Sequence, residues 1–354
     1  MSSCSLLLVS LTMSRSSMKT QSGGTVTISS SSSLSRMSPK KKKCKLSSPT
    51  VVVDNDTTIV EPLELEEVGT NLRILTWNCS GKFREKCHIL TNHYPNADIL
   101  IIQECEDPDL CTSTSTNNKN KNQYRMYKEW IASTVDSYIW ISGDGKGVRH
   151  RGMGIFVSKS SSSSLGKIKL MDNTIDDGGM KLFLPVEFET SGVQVLGVWT
   201  KATKKYSTSY VYQLWKYLDL NLHKFNHNNL IIVGDFNSNA IWNPKRKVGN
   251  HQHVLDLLTQ YNLVSAYHAL NEEENHGEER NPTFYLHRNV DKPYHLDYVV
   301  VPRTYIITTK DIGVALTNQV PKASSEIVVG SFDDWISYSD HMPLLFSTCS
   351  SDVS

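Results

Sequence analysis

The first 53 residues contain no aspartate or glutamate, although the 354-residue chain carries 36 acidic residues and 37 lysines and arginines. Eight of the basic residues lie in that acid-free stretch: Arg15, Lys19, Arg36, Lys40, Lys41, Lys42, Lys43 and Lys45. The remainder has 29 basic against 36 acidic residues, a net charge of −7. That balance excludes a generally basic nucleic-acid binder, so contact with a polyanion needs divalent cations or a local positive patch. No apolar run approaches the roughly 18 residues of a membrane-crossing helix, and no transmembrane segment is expected. The seven cysteines are odd in number and irregularly spaced, with no Cys-x-x-Cys. This argues against a zinc cluster and leaves free thiols in a reducing compartment as the expectation.

The N-terminal segment, residues 1–69, reads as a disordered Ser-rich basic tail. It buries too little apolar surface to offset the entropy of ordering it. Leu6-Leu7-Leu8-Val9 has no basic residue before it and makes a poor secretory signal. A basic, Ser-rich, acid-free start fits an organelle transit peptide, and Lys40-Lys41-Lys42-Lys43-Cys44-Lys45 fits a nuclear localisation signal. Both addresses are intracellular, and a plain solvated tail fits the composition equally.

From about Leu72 the texture changes. Strands are expected at 72–78, 98–104, 138–142, 154–158, 181–187, 193–199, 230–235, 294–301 and 343–347, and helices at 82–93, 209–222 and 251–260. Residues 106–123 read as a polar loop, and the acidic segment 271–281 as an exposed one. Strands outnumber helices, yet helices recur among them. The expected fold is α/β, a four-layered sandwich of two packed mixed β-sheets flanked by helices, spanning residues 70–350.

Several polar residues stand where apolar strands end, the usual mounting point for catalytic groups. Asn78 closes the first strand and Glu104 the second. Leu230-Ile231-Ile232-Val233 runs into Gly234-Asp235-Phe236-Asn237. Asp297 interrupts an apolar stretch, and Asp340-His341 precedes the last strand. A phosphodiester is anionic and resists attack, so its hydrolysis needs charge neutralisation, an activated water and a stabilised leaving oxygen. A hard cation with oxygen ligands supplies the first and assists the others. Glu104 is the expected metal ligand, with Asn78 holding it or adding its amide oxygen. Asp235 would orient and deprotonate water, and Asn237 would donate to a phosphate oxygen. His341 would bond a non-bridging oxygen as imidazolium, with Asp340 holding its charge and orientation.

Trp77-Asn78, Gln103-Glu104, Gly234-Asp235-Phe236-Asn237, His295-Leu296-Asp297-Tyr298 and Ser339-Asp340-His341 together resemble the endonuclease/exonuclease/phosphatase superfamily, deoxyribonuclease I-like, over about residues 70–350. The resemblance implies a Mg²⁺- or Mn²⁺-dependent phosphoesterase. It makes Glu104 the metal ligand with Asn78 beside it, and gives Asp235 and Asn237 to water and phosphate. It further implies that Asp297 orients another catalytic group and that Asp340 and His341 contact the scissile phosphate.

The chain departs from the pattern at Thr200, where the resemblance implies a general-acid histidine. Lys201 is one stand-in for it, and His150 of the Arg149-His150-Arg151 loop is another. Arg149, Arg151 and Lys201 are candidate substrate contacts. The leading substrate is nucleic acid, DNA or RNA, with Trp199, Trp242, Tyr206 and Tyr285 as candidate base-stacking rings. Lys201, Lys204, Lys205 and Lys245-Arg246-Lys247 would form the positive patch. A small or lipid phosphoester and a degenerate binding module are the alternatives. No obligate protein partner is inferred.

Overall fold

The computed structural model describes residues 71–109, 118–143, 151–172, 174, 182–204, 208–308 and 324–348. The expected N-terminal tail, Arg149, His150, Lys205 and Tyr206 lie outside them.

One six-stranded sheet is built from β1 (Arg73–Asn78), β2 (Ile99–Cys105), β3 (Val135–Ser142), β4 (Gly152–Ser158), β13 (Glu326–Val329) and β14 (Leu344–Ser347), in the order β13-β14-β1-β2-β4-β3. The second contains β5 (Ile168–Leu170), β6 (Phe183–Phe188), β7 (Gln194–Trp199), β8 (Leu230–Asp235), β9 (Leu263–Ser265) and β12 (Asp297–Pro302), in the order β5-β6-β7-β8-β12-β9. A two-stranded ribbon joins β10 (Phe284–Tyr285) to β11 (Pro293–Tyr294). In each sheet one central pair is parallel, β1 with β2 and β7 with β8, while the other pairs are antiparallel. Both sheets are therefore mixed, as expected.

The layering follows from the two-residue period of a strand. Ile74, Ile99, Ile101, Ile155, Val195, Ile231, Val233 and Val299 turn inward and form one core between the sheets. Their neighbours turn outward: Leu75, Trp77, Leu100 and Ile102 meet Leu90 of α1 (Cys87–His93) and Tyr127 and Trp130 of α2 (Asn118–Thr134). On the other side Leu196, Val198 and Ile232 meet Leu214 and Leu218 of α4 (Val211–Asn221) and Val254 and Leu258 of α5 (His251–Gln260); a four-residue α3 (Ser162–Leu165) precedes these two. Strands apolar on both faces are what two buried faces require. Each fully buried aliphatic side chain contributes about 1.5–3 kcal/mol.

Three expectations need correction. Residues 118–123 are not loop but the start of α2, whose Tyr127 and Trp130 stack at 5.9 Å beneath the sheet. The strand expected at 294–301 is two strands, because His295 and Leu296 turn the chain between β11 and β12. Segment 271–281 is partly internal: Glu274 is buried and accepts a hydrogen bond from Tyr267 Oη at 2.8 Å. The edge strand β13 and the short β9 were not anticipated.

Candidate active site

The parallel pairs end at the same side of the molecule, and the antiparallel β12 and β14 begin there. Asn78 closes β1, Glu104 lies at the end of β2, and Asp235 closes β8. Asp297 opens β12 directly opposite Asp235.

Gly234 makes the β8 turn possible. Its φ is +140°, and a Cβ there would lie 2.0 Å from the Val198 carbonyl oxygen, so no side chain fits. Asn237 at φ +46° then curls back onto the strand, a left-handed conformation Asn tolerates. Its backbone N–H donates to Asp235 Oδ1 at 2.8 Å. Its Nδ2 donates to Asp235 Oδ2 at 2.8 Å and to the Thr200 carbonyl at 3.0 Å. Both amide hydrogens are thereby committed, so Asn237 holds Asp235 rather than offering a donor to phosphate, a change from the expected role.

Asn78 Nδ2 supplies a further donor to Asp235 Oδ2 at 3.0 Å. Asn78 Oδ1 accepts from the Ser80 amide at 3.1 Å and keeps a second lone pair. Burial pushes the Asp235 carboxyl up, to about 7, against the opposing pull of His341 and the Asn donors.

His341 Nδ1 is bonded to Asp297 Oδ2 at 2.9 Å, and its Nε2 stands 3.9 Å from Asp235 Oδ2. Burial opposes its charge, but the Asp297 and Asp235 carboxylates outweigh that and raise it to about 10. The hydrogen-bond partner that orients His341 is Asp297, while Asp340 adds only a smaller charge contribution in the same direction. Asp340 lies at a bend and is half-buried, and its carbonyl accepts from Tyr285 N at 2.8 Å. Ser339 Oγ adds a brace, donating to the Asn78 carbonyl at 2.7 Å and accepting from His341 N at 3.1 Å. Thr283 Oγ1 accepts from the backbone N–H of Leu296 and Asp297.

Glu104 occupies a register break between Gln103 and Cys105 at φ +61°. A bulge of this kind re-aims a side chain out of the pleat, and a left-handed non-glycine residue there costs about 1–3 kcal/mol. Its carboxylate pairs with Arg151 and remains 19% exposed. Arg151 is therefore placed on the candidate metal ligand rather than standing free for substrate.

Thr200 is fully buried and donates its hydroxyl to the Phe236 carbonyl at 2.7 Å, a structural bond. Lys201 lies over the Trp199 ring at 4.4 Å. Trp199 and Tyr285 are buried, which removes both as stacking rings; Trp242 is half-buried against Tyr294. Lys204, Lys245 and Lys247 are exposed. Lys86 was not anticipated: its Nζ donates to the carbonyls of Cys79, Gly81 and Tyr338 at 2.5, 2.8 and 2.6 Å. It ties the loop after Asn78 to the segment before Ser339. A lysine at the start of a helix gives no sequence signal of such a role.

Two donor sets invite a cation. Asp235, Asp297 and His341 have ligand atoms within 4.8 Å of one another. That set is fully buried, and His341 Nδ1 in it is already bonded to Asp297 Oδ2 at 2.9 Å. The partly exposed Glu104 carboxylate and the remaining lone pair of buried Asn78 Oδ1 are oxygen donors of the kind Mg²⁺ or Mn²⁺ takes.

The model of the endonuclease/exonuclease/phosphatase family matches residues 75–341. The chain belongs to this family. Its matched span runs from β1 to His341, covering all the site residues described above. An endonuclease/exonuclease/phosphatase protein from Beutenbergia cavernae superposes with a TM-score of 0.50 at 12% identity, covering 79% of this chain and 72% of that one. Truncated TDP2 from Caenorhabditis elegans gives 0.48 at 14% identity, with 79% and 98% covered. The AP endonuclease LMAP from Leishmania major gives 0.47 at 12% identity, with 79% and 88% covered. The likeness to the Beutenbergia cavernae protein, at 12% identity, concerns the fold alone. No curated protein matches the sequence. Among the described residues no helix is long and apolar enough to cross a membrane. Cys79, Cys87 and Cys105 are buried, and burial pushes the Cys79 thiol up to about 12.

Proposed function

We propose that the chain is a divalent-metal-dependent phosphodiesterase acting on DNA or RNA. The observation that carries this reading is the His341 imidazolium clamped by Asp297, with its Nε2 beside Asp235 and no hydrogen-bond partner at that distance. A fixed cation with a free N–H is built to hold a phosphoryl oxygen, and it is worth most where water is excluded. Asp235, raised towards neutrality by burial, takes the proton from an attacking water; a base poised near the working pH is the efficient choice. Asn78 and Asn237 position Asp235 through three bonds to its carboxylate. Asp297 keeps His341 charged and oriented.

Glu104 and the Asn78 amide oxygen would hold Mg²⁺ or Mn²⁺, with Arg151 giving up the carboxylate. When bound, the cation neutralises the phosphoryl oxygens and stabilises the leaving oxygen. Lys201, beside Trp199 at the end of β7, is the described residue we assign to leaving-group stabilisation in place of a histidine at Thr200. Lys204, Lys245 and Lys247 supply local positive charge on a body of net −7.

A small or lipid phosphoester is the second reading, favoured by burial of Trp199 and Tyr285, which leaves fewer rings to stack on bases. The test is a screen of the purified chain with Mg²⁺ and Mn²⁺ against single- and double-stranded DNA, RNA and phosphomonoesters. Cleavage of a polynucleotide supports the first reading. Hydrolysis of monoesters alone overturns it in favour of the second.

A further inference from the structure

Behind the Asp235 turn lies a cluster of polar groups with no part in the chemistry described above. His251 opens α5, His268 sits in the one-turn helix α6 (Ala266–Leu270), and His276 and Glu279 come from the 271–281 segment. The ligand atoms of His268, His276 and Glu279 lie within 4.8 Å of one another. The His268 and His276 rings stack with centroids 3.5 Å apart.

Charge is the reason these groups need explaining. The Glu279 side chain is 3% exposed, and its ion-pair partner among the described residues is His268, at 3.2 Å. Burial alone would neutralise it. His268 Nε2 at 3.2 Å, Gly277 N at 2.9 Å and Asn239 Nδ2 at 3.0 Å all meet its carboxylate oxygens. A nearly buried carboxylate ringed by imidazole nitrogens is a donor set that a cation would complete.

Hydrogen bonds fix the other nitrogens of these rings. A ligating imidazole keeps its ring fixed by a hydrogen bond from its other nitrogen. His268 Nδ1 bonds Ser265 Oγ at 2.9 Å, which leaves Nε2 turned to Glu279. His276 Nδ1 meets His251 Nε2 at 3.3 Å, and His251 Nδ1 continues to Ser238 Oγ at 3.1 Å. With protons on His276 Nδ1 and His251 Nδ1, that relay is satisfied and His276 Nε2 presents a lone pair. Asn239 Nδ2 bonds the second carboxylate oxygen, Oε2, at 3.0 Å. Nearby, buried His295 has Nδ1 on the Asn281 carbonyl and no protein partner at Nε2.

We infer that His268, His276 and Glu279 bind a divalent transition metal of the Zn²⁺ class, with His251, Ser265 and Asn239 bracing the ligands. Two imidazoles and one carboxylate form a nitrogen-rich set that suits Zn²⁺ and disfavours Mg²⁺. No cysteine takes part, so cysteine spacing could not reveal the site. The ion staples α5, α6 and the 271–281 segment to Ser238 and Asn239, the residues that follow the catalytic turn. Its role is to hold the Asp235 turn in place, separate from any cation at Glu104.

The test measures metal in the purified full-length chain after Zn²⁺ loading and exhaustive dialysis. Retention of about one zinc per chain is expected in wild type and in Glu104→Gln, with loss of that equivalent in His276→Gln and in Glu279→Gln. Co²⁺-loaded wild type should show the visible absorption of a nitrogen- and oxygen-ligated tetrahedral ion, a readout that does not depend on the variants folding. Its thermal midpoint should fall on chelation. Failure of wild type to retain zinc, or equal retention in His276→Gln, overturns the inference. Loss of the equivalent in Glu104→Gln also overturns it, by moving the ion to the other site.

Discussion

Replacing Asp297 by Asn removes a charge while nearly keeping a shape. Asp297 Oδ2 lies 2.9 Å from His341 Nδ1 with both side chains buried. Unit charges 2.9 Å apart attract by about 6 kcal/mol at an effective dielectric of about 20. Desolvation takes part of that back, and breaking a buried pair costs about 3–5 kcal/mol. The variant should therefore unfold about 3 kcal/mol more easily in urea at pH 7. Asp297 is also the largest influence raising His341, so imidazole titration should move down and charged His341 should be lost within the working range. Removing a general acid-base or charge-stabilising group costs roughly 10²–10⁴ in rate, and kcat/KM on a polynucleotide should fall by that order. The loss should deepen as pH rises from 6 to 9. Unfolding free energy within about 0.5 kcal/mol of wild type, together with an unchanged pH profile, would refute the reasoning.

Further outcomes follow from the same geometry. His341 is held at about 10 against an ordinary 6.5, so the stability its charge contributes is complete below 6.5 and is lost as pH rises through about 10; wild-type unfolding free energy, followed from pH 7 to 11, should show that loss at the alkaline end. Gly234→Ala forces a Cβ to 2.0 Å from the Val198 carbonyl and should cost at least about 3 kcal/mol by denaturant titration. Lys86→Met leaves three carbonyl acceptors without their donor; about 1–3 kcal/mol per buried group should appear as a lowered thermal midpoint. Thr200→Val loses one buried bond and should reduce stability by about 1–3 kcal/mol while leaving kcat within a few-fold. Lys201→Ala should lower kcat more than it raises KM if Lys201 steadies the leaving oxygen.

Much of the fold was legible because both faces of most strands are buried. Runs such as Leu230-Ile231-Ile232-Val233 declare a central strand without alternation, and a glycine turn marks where it stops. The layers followed from that pattern. What escaped was set by tertiary context. The polar first turns of α2 hide a helix whose fixed points, Tyr127 and Trp130, come late in it. Acidic segment 271–281 reads as solvent-facing, yet Glu274 and Glu279 turn inward to meet Tyr267, His268 and Asn239.

The catalytic candidates were legible as residue types at strand ends, but not as pairs. Sequence adjacency suggested Asp340 for His341, while the sheet register places Asp297 there from 44 residues away. Likewise nothing along the chain shows that both hydrogens of the Asn237 amide are spent on Asp235 and Thr200. Adjacency names a motif, and only the fold shows which atoms remain free to act.

The most direct test of the central claim is plasmid nicking by purified wild type and Glu104→Gln, titrated with Mg²⁺. Glu104 sits at the left-handed bulge with a partly exposed carboxylate, and the account gives it the metal. Nicking that requires Mg²⁺ and falls by at least roughly 10²-fold in Glu104→Gln, with the fold intact by circular dichroism, is the expected result. Nicking that persists in chelator, or equal rates in the two proteins, would contradict it.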